Sequence, residues 1–503
     1  MSDATTLRST DVRARVRPVA HFIGGRFQPG RAGRTFETLD PTTNAPITDV
    51  AEGDEEDVDL AVQAARRAFD EGPWPAMPAG ERAALLRRIA ELIEGADQEI
   101  SELEALDTGM PITQARGQAR RAAQNFRFFA SEIEVRSGES FQRSDFLNYA
   151  IQKPVGVGGL ITPWNTPFML ETWKVAPCLA AGDTCVLKPA EWSPLSADRL
   201  ARIIADAGLP EGVFNVVHGF GEGAGAPLVR HPGVQLISFT GETATGAQIM
   251  ADGAPTLKRY SMELGGKSPV VVFADCDLDL AIDAAVFGVF SLNGERCTAG
   301  TRLLIEQPVY EEFVERVAER ARHVRTGDPF DPGTELGPLI HPEHWNRVNG
   351  YLEAGRAEGR LLAGGGRPEG LPNGNYVAAT VFADVQPSAR IFQEEIFGPV
   401  VVATPFRDEE EAVRLANDVR YGLAAYVWTN DLQRGQRVGQ AIDSGLVWLN
   451  SQNVRDLRTP FGGAKASGIG REGGEHSFEF YCEFQTVHVA LGKHRIPRFG
   501  VPD

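Results

Sequence analysis

The chain has 503 residues, of which 42% are hydrophobic and 23% charged, enough to build roughly three structural units around sizeable cores and too much for one small module or a disordered chain. Its 50 Lys and Arg against 68 Asp and Glu leave a formal charge of −18, which excludes nucleic acid and anionic membranes as partners. Five scattered cysteines without a CxxC pair point to a reduced, cytoplasmic chain with free thiols rather than a disulfide framework.

The first 16 or so residues are polar and aperiodic and read as a flexible tail. Neither they nor any later stretch supplies a signal-peptide core or the ~20 apolar residues of a membrane span, so a soluble protein is expected. The acidic run Glu52–Asp59 opens an amphipathic helix through Val62, Ala65 and Phe69, its charge being favourable at a helix N-terminus. A second helix is predicted over 81–106, with Leu85, Ile89, Leu92 and Ile93 on one stripe. From about 155, short apolar runs alternate with helical stretches: Val157–Ile161, a helix near 168–181, Thr184–Leu187, a helix near 195–207, Val213–Val217 and Gln235–Phe239. That alternation is the mark of βαβ units and a parallel sheet. A second α/β region starts at Pro269–Phe273, continues through a helix near 277–291 and a strand at Arg302–Glu306, and runs to about 450. The strand-like segments Phe146–Lys153 and Phe480–Ala490 fit neither region and need to pair with each other or with another subunit.

Several short motifs are weak. Gly219–Ala224 fits GxGxx[GA] after a strand, a string shared with ordinary strand-to-helix turns, and Gly468–Gly473 fits it with no strand before it and reads as a loop. Gly266-Lys267-Ser268 lacks the earlier P-loop glycine, since Ser261 stands there. His341-Pro342-Glu343-His344 lacks metal-site spacing and reads as the surface start of a helix, so no metal is expected. Cys297 is stronger: it lies beside Arg296 in the glycine-flanked stretch Gly294–Gly300, where a cation favours the reactive thiolate, although a buried packing thiol is the commoner case. Asn165 follows Pro163-Trp164 at a strand end, where open α/β sheets bind ligands, and offers a neutral N–H donor. Glu263 precedes Gly265-Gly266, a pair that lets backbone approach a ligand closely. Taken singly, Asn165 also fits a turn and Glu263 a surface carboxylate.

In combination and in order, Pro163-Trp164-Asn165, Lys188–Glu191, Phe239–Gly246, Glu263–Pro269, Cys297, Glu394–Pro399 and Pro460–Gly463 resemble the aldehyde dehydrogenase superfamily over nearly the whole chain. The resemblance implies an α/β fold with a Rossmann-type cofactor domain (17–138 and 156–263), an α/β catalytic domain (264–475) and a small β oligomerisation element (139–155 and 476–503). A homodimer or homotetramer follows from that element. Cys297 would be the nucleophile, Asn165 with the Cys297 backbone N–H the oxyanion donors, and Glu263 the base that activates water to hydrolyse the thioester.

For the cofactor, the resemblance places Lys188 and Glu191 on the adenosine ribose, Glu395 on the nicotinamide ribose and Phe397 beside the nicotinamide. Thr162, Pro163, Trp164, Gly221, Gly225, Phe239, Thr240, Gly241, Glu242 and Leu264 complete that groove. A carboxylate at Glu191 favours NAD over NADP. Two positions depart from many members: Glu295 replaces Gln, and Glu242 replaces Ser where a pyrophosphate should pass. Within the superfamily, Phe290–Gly300, Asn453–Arg458, Gly470–Glu475 and Ile496–Gly500 look like the semialdehyde dehydrogenases of aromatic-acid catabolism. Such a dicarboxylic semialdehyde requires cationic anchors, for which Arg455, Arg458 and Arg121 are the candidates, with Phe461 lining the tunnel. A sister muconic semialdehyde, another small aldehyde, transfer of the acyl group to coenzyme A, or a non-catalytic protein of the same fold are the alternatives.

Overall fold

A computed structural model describes residues 9–500. An eight-stranded sheet runs in the order Arg26–Gln28, His21–Ile23, Phe214–Val216, Thr184–Lys188, Val157–Ile161, Leu236–Thr240, Arg259–Glu263 and Gly468–Ile469. Its five central strands are parallel, as the alternating pattern required, and the flanking strands pair antiparallel. Neighbouring residues on these strands enter different cores. Leu160, Leu187 and Leu236 pack with the helices Ala79–Gly95, Ile112–Val135, Pro167–Ala181 and Leu195–Ala207, whereas Ile161, Val186 and Ile237 pack against Glu55–Asp70. Burial on both faces explains why each strand reads as an unbroken apolar run.

A second, seven-stranded sheet runs Arg360–Ala363, Thr380–Ala383, Val400–Phe406, Arg302–Glu306, Pro269–Val272, Ala424–Trp428 and Leu446–Leu449, parallel except for its first pair. Phe146–Pro154 and Cys482–Ala490 do pair with each other, antiparallel, and with Glu139–Gln142 they make a separate three-stranded sheet. No helix among the described residues is long and apolar enough to cross a membrane.

Four expectations need correction. The tail is ordered from residue 9: Ser9–Arg13 is helical, Val12 is buried, and Arg13 and Arg15 reach Asp40 and Glu102 at 2.6 Å each. Residues 1–8 lie outside the described residues. The helix predicted over 81–106 is two, Ala79–Gly95 and Asp97–Thr108, because Ala96 leaves helical geometry and Asp97 opens a new acidic first turn. Gly474–Tyr481 is a helix rather than part of an assembly strand, since Phe478 and Tyr481 face the core. Gly468–Ile469, read as loop within the second region, is a strand that closes the edge of the first sheet against Met262 and Glu263. The acidic run behaves as charge at a helix start should: Asp54 caps Glu55–Asp70 and Asp57 completes the capping box.

The helix Leu278–Phe290 ends in three consecutive left-handed residues, Leu292, Asn293 and Gly294. A methyl group on Gly294 would collide with the Gly398 carbonyl and Pro399 nitrogen. Gly294→Ala should therefore lower stability by about 2–4 kcal/mol and slow alkylation of Cys297. Thermal unfolding and thiol labelling would check both, and a variant with the parent's stability and labelling rate would contradict this account of the turn.

Candidate active site

A cavity of about 390 Å³ opens at the C-terminal ends of Leu236–Thr240 and Arg259–Glu263, where open α/β sheets bind ligands. Cys297, Asn165 and Glu263 all line it. Asn165 Nδ2 donates to the Glu295 carbonyl at 2.8 Å, tying the strand-end loop to the turn that carries Cys297. An amide has two N–H groups, so a second donor remains. Both Glu263 oxygens are buried without a hydrogen-bond partner. Burial, and then Glu472, hold this carboxyl well above the ordinary carboxylate range.

The Cys297 thiol departs from the sequence argument. Arg296 and Arg455 do favour its thiolate, but burial outweighs them, and with Glu395 and Glu263 pushes the thiol up to about 12. The remaining four cysteines are buried.

The double glycine has a more local purpose than closeness to a ligand. Glu395 Oε2 occupies the space that a side chain on Gly265 would take, and Glu395 Oε1 accepts from Gly266 N at 2.9 Å. A Cβ on Gly266 would lie 2.5 Å from the Cys297 carbonyl oxygen. Of the expected cofactor residues, Pro163, Trp164, Thr240, Gly241, Glu242, Leu264, Glu395 and Phe397 line the cavity. Lys188 and Glu191 lie outside it as an ion pair at 3.2 Å, with Gly225 beside Lys188. Gly221 opens the short helical turn that ends at Gly225 and also stands outside, as do Thr162 and Phe239, the latter packed in the core. Thr162 Oγ1 and Thr240 Oγ1 are buried without partners at the ends of their strands.

The two departures from the family pattern are absorbed locally. Glu242 is exposed, with Arg347 Nη1 3.8 Å away. Glu295 is buried and accepts from Ile340 N at 3.0 Å. His344, read as part of a surface helix start, is instead buried in the cavity wall: Nε2 donates to the Phe397 carbonyl at 2.7 Å, and its ring lies 5.0 Å from Trp164. Pro342 does begin that helix, with His341 as the cap.

The arginines separate clearly. Arg458 is removed from the anchor set, because its side chain is 77% exposed and paired with Asp456 at 2.5 Å. Arg121, Arg455 and Phe461 line the cavity, and so does Arg296. Arg455 lies 4.2 Å from the Phe461 ring centre and 4.9 Å from that of Trp173. Burial, Arg455 and Arg296 depress Arg121 to about 10. The side chains of Arg121, Arg296 and Arg455 make no ion pair and no hydrogen bond among the described residues, although ion pairs are common elsewhere among them.

Residues 27–487 match the model of the aldehyde dehydrogenase family. The chain belongs to the aldehyde dehydrogenase family. It is 50% identical to the 5-carboxymethyl-2-hydroxymuconate semialdehyde dehydrogenase of Escherichia coli, over 92% of this chain and 99% of that protein. It is 45% identical to the 2-hydroxymuconic semialdehyde dehydrogenase of Pseudomonas sp. strain CF600, over 95% of this chain and 100% of that protein. Among solved structures, HpcC from Thermus thermophilus superposes with a TM-score of 0.96 at 52% identity, covering 98% of this chain and 97% of that one. An aldehyde dehydrogenase of Bacillus cereus solved as its NAD+ complex gives 0.93 at 42% identity, covering 95% of this chain and 97% of that one. The chain is thus an aldehyde-oxidising oxidoreductase.

This aldehyde dehydrogenase also uses residues that the sequence did not single out. Glu472 lines the cavity and accepts through Oε1 from Lys174 Nζ at 2.9 Å and from Ser238 and Ser261 at 3.2 Å each, and through Oε2 from Trp173 Nε1 at 2.5 Å. The sequence marks Glu472 only as a member of the Gly470–Glu475 stretch, within a glycine string that reads as loop, and gives it no role.

The thiol's environment sets a pH prediction. Thiolate is the reactive form, so with the thiol near 12 the iodoacetamide rate should climb with pH without levelling below about pH 10. Glu395, itself raised to about 7 by burial, is ionised above that pH and opposes the thiolate. Glu395→Gln should therefore lower the thiol pKa and speed labelling above pH 7. Slower labelling in the variant, or a plateau at neutral pH in the parent, would contradict the assignment.

Proposed function

We propose that this aldehyde dehydrogenase oxidises 5-carboxymethyl-2-hydroxymuconate semialdehyde, the substrate named for its Escherichia coli relative, to the corresponding carboxylate, with NAD as the acceptor. The observation that carries this reading is the set of three guanidiniums, Arg121, Arg296 and Arg455, in one cavity with no acidic partner of their own. Unpaired buried cations are costly unless a ligand neutralises them. A substrate with two carboxylates would supply the anionic partners they lack.

The residues fit NAD. Thr162 and Thr240 leave unpartnered hydroxyls at the parallel strand ends, Lys188 and Glu191 would hold the adenosine ribose, and Glu395 and Phe397 would meet the nicotinamide end. The remaining expected groove residues, Pro163, Trp164, Gly241, Glu242 and Leu264, line the connecting wall. Bound NAD supplies the hydride acceptor. A Glu191 carboxylate would accept from a ribose hydroxyl and repel a 2′-phosphate, which favours NAD over NADP.

The protein's own groups then divide the work. Cys297 Sγ adds to the aldehyde carbon, and the oxyanion meets the free Asn165 N–H and the Cys297 backbone N–H. Glu263, unpartnered and with a raised pKa, takes the thiol proton and later the proton of the water that hydrolyses the acyl-enzyme. That base is why hydrolysis is preferred to acyl transfer onto coenzyme A. Lys174 and Glu472 keep Trp173 and its stacked Arg455 in place.

The segments 17–138 with 156–263 would act as the cofactor domain and 264–475 as the catalytic domain. The three-stranded sheet displays Phe141, Phe484 and Val489, with Leu491 exposed just past its last strand, and we read it as the assembly surface of a homodimer or homotetramer in the cytoplasm; a monomer by light scattering would refute that. On the substrate side, purified protein with NAD should show its highest kcat/KM for the dicarboxylic semialdehyde, ahead of 2-hydroxymuconate semialdehyde and neutral aldehydes. Equal values across such a panel would sink the assignment. Arg455→Ala should raise KM for the carboxylated substrates about tenfold or more. Glu263→Gln should slow both the burst of reduced cofactor and the steady turnover, the latter by about 10²–10⁴-fold; stopped-flow absorbance would resolve the two phases, and a burst as fast as the parent's would remove Glu263 from activation of the thiol.

A further inference from the structure

The three unpaired guanidiniums are not equivalent. Arg455 lies on the flank of Glu263 and Glu472, and its charge is felt by both carboxylates and by Cys297. Arg121 comes from the helix Ile112–Val135 and senses both of the others. Arg296 is the chain neighbour of Cys297 and lies 5.6 Å from the centre of the Phe287 ring, an aromatic that Arg455 does not touch. Its Nη1 is buried without a partner, and the groups whose charge reaches it are Tyr426 and Cys297, neither an acidic side chain. Around the nucleophile, then, one cation, Arg455, stands with carboxylates and another, Arg296, stands without one.

The substrates named for the two relatives differ by one group, a carboxymethyl arm on the carbon next to the aldehyde. Once Cys297 Sγ is bonded to the aldehyde carbon, that arm's carboxylate is held within a few bonds of the sulfur, whereas the carboxylate common to both substrates lies at the far end of the chain. On the Arg455 side the arm would face Glu263 and Glu472 and take the place needed by the hydrolytic water. On the Arg296 side it meets a fork of donors.

We infer that Arg296 is the residue that reads the carboxymethyl carboxylate, while Arg121 and Arg455 hold the distal carboxylate shared by both semialdehydes. The inference rests on the semialdehyde reading above and adds the residue that separates its two closest substrates.

The test measures kcat/KM for the carboxymethylated semialdehyde and for 2-hydroxymuconate semialdehyde in the parent and in Arg296→Met, Arg296→Lys and Arg455→Ala. Arg296→Met should reduce the preference for the carboxymethylated substrate about tenfold or more, through KM, and Arg296→Lys should fall between. Arg455→Ala should depress both substrates together and leave their ratio within about threefold. An Arg296→Met enzyme that loses both substrates equally, with its Cys297 alkylation profile moved to higher pH, acts through the thiol alone, and the inference fails. A retained preference in either Arg296 variant also overturns it, and Arg296→Lys decides the matter where Arg296→Met does not fold. A parent enzyme without preference for either carboxylated semialdehyde over a neutral aldehyde would instead remove the underlying functional reading.

Discussion

Cys297 owes its position to a stretch of backbone that L-residues avoid. Leu292, Asn293 and Gly294 are all left-handed, and for the two non-glycine residues this costs about 1–3 kcal/mol each. The surroundings offset it. Asn293 Nδ2 donates to the carbonyls of Gly109 and Pro338 at 3.0 and 2.9 Å, its Oδ1 accepts from Gly337 N at 2.7 Å, and Leu292 N donates to Gln114 Oε1 at 2.6 Å. These partners lie some 180 residues before the turn and about 45 after it. The nucleophile is therefore held by the tertiary structure as a whole, and the turn collapses if any one of these segments moves.

Two carboxylates of the same cavity show how burial and partnering divide structure from chemistry. Glu472 has all of its accepting capacity engaged by Lys174, Ser238, Ser261 and Trp173. A buried pair of this kind is expensive to break, by about 3–5 kcal/mol, so it fixes the wall against which Arg455 stacks. Glu263 has none engaged. Without partners its proton affinity is raised by burial and by the neighbouring negative charge of Glu472, which suits it to accept a proton. The same physics explains why one arginine beside Cys297 does not suffice to ionise it: removing a thiolate from water outweighs a neighbouring cation that is itself partly desolvated.

The strands of both large sheets were legible because burial on two faces writes them as short apolar runs between helical periods, and Arg302–Glu306 and the helix Leu195–Ala207 fall at the predicted residues. The break at Ala96 was invisible, since both flanking segments continue the same amphipathic stripe. Cys297, Asn165 and Glu263 stood out through ordered motifs. Arg296, His344 and Glu472 did not, because what distinguishes them is absence or presence of a partner far along the chain. Arg458 and Arg455 look alike in sequence; three residues apart, one meets Asp456 at the surface and the other slides between two aromatic rings.

The formal charge of −18 ought to repel an anionic substrate, yet that field is screened within about 8–10 Å at ordinary ionic strength. What the substrate meets on entry is set by local pairing. The acidic residues that departed from the family pattern are neutralised or buried where they stand, Glu242 by Arg347 and Glu295 by the Ile340 amide. Three guanidiniums then face the cavity without an ion pair of their own among the described residues, in surroundings of lower dielectric where each interaction counts for more than at the surface. A cavity that attracts anions in an acidic protein thus follows from which arginines are denied a partner, and the number of arginines in the chain has little bearing on it.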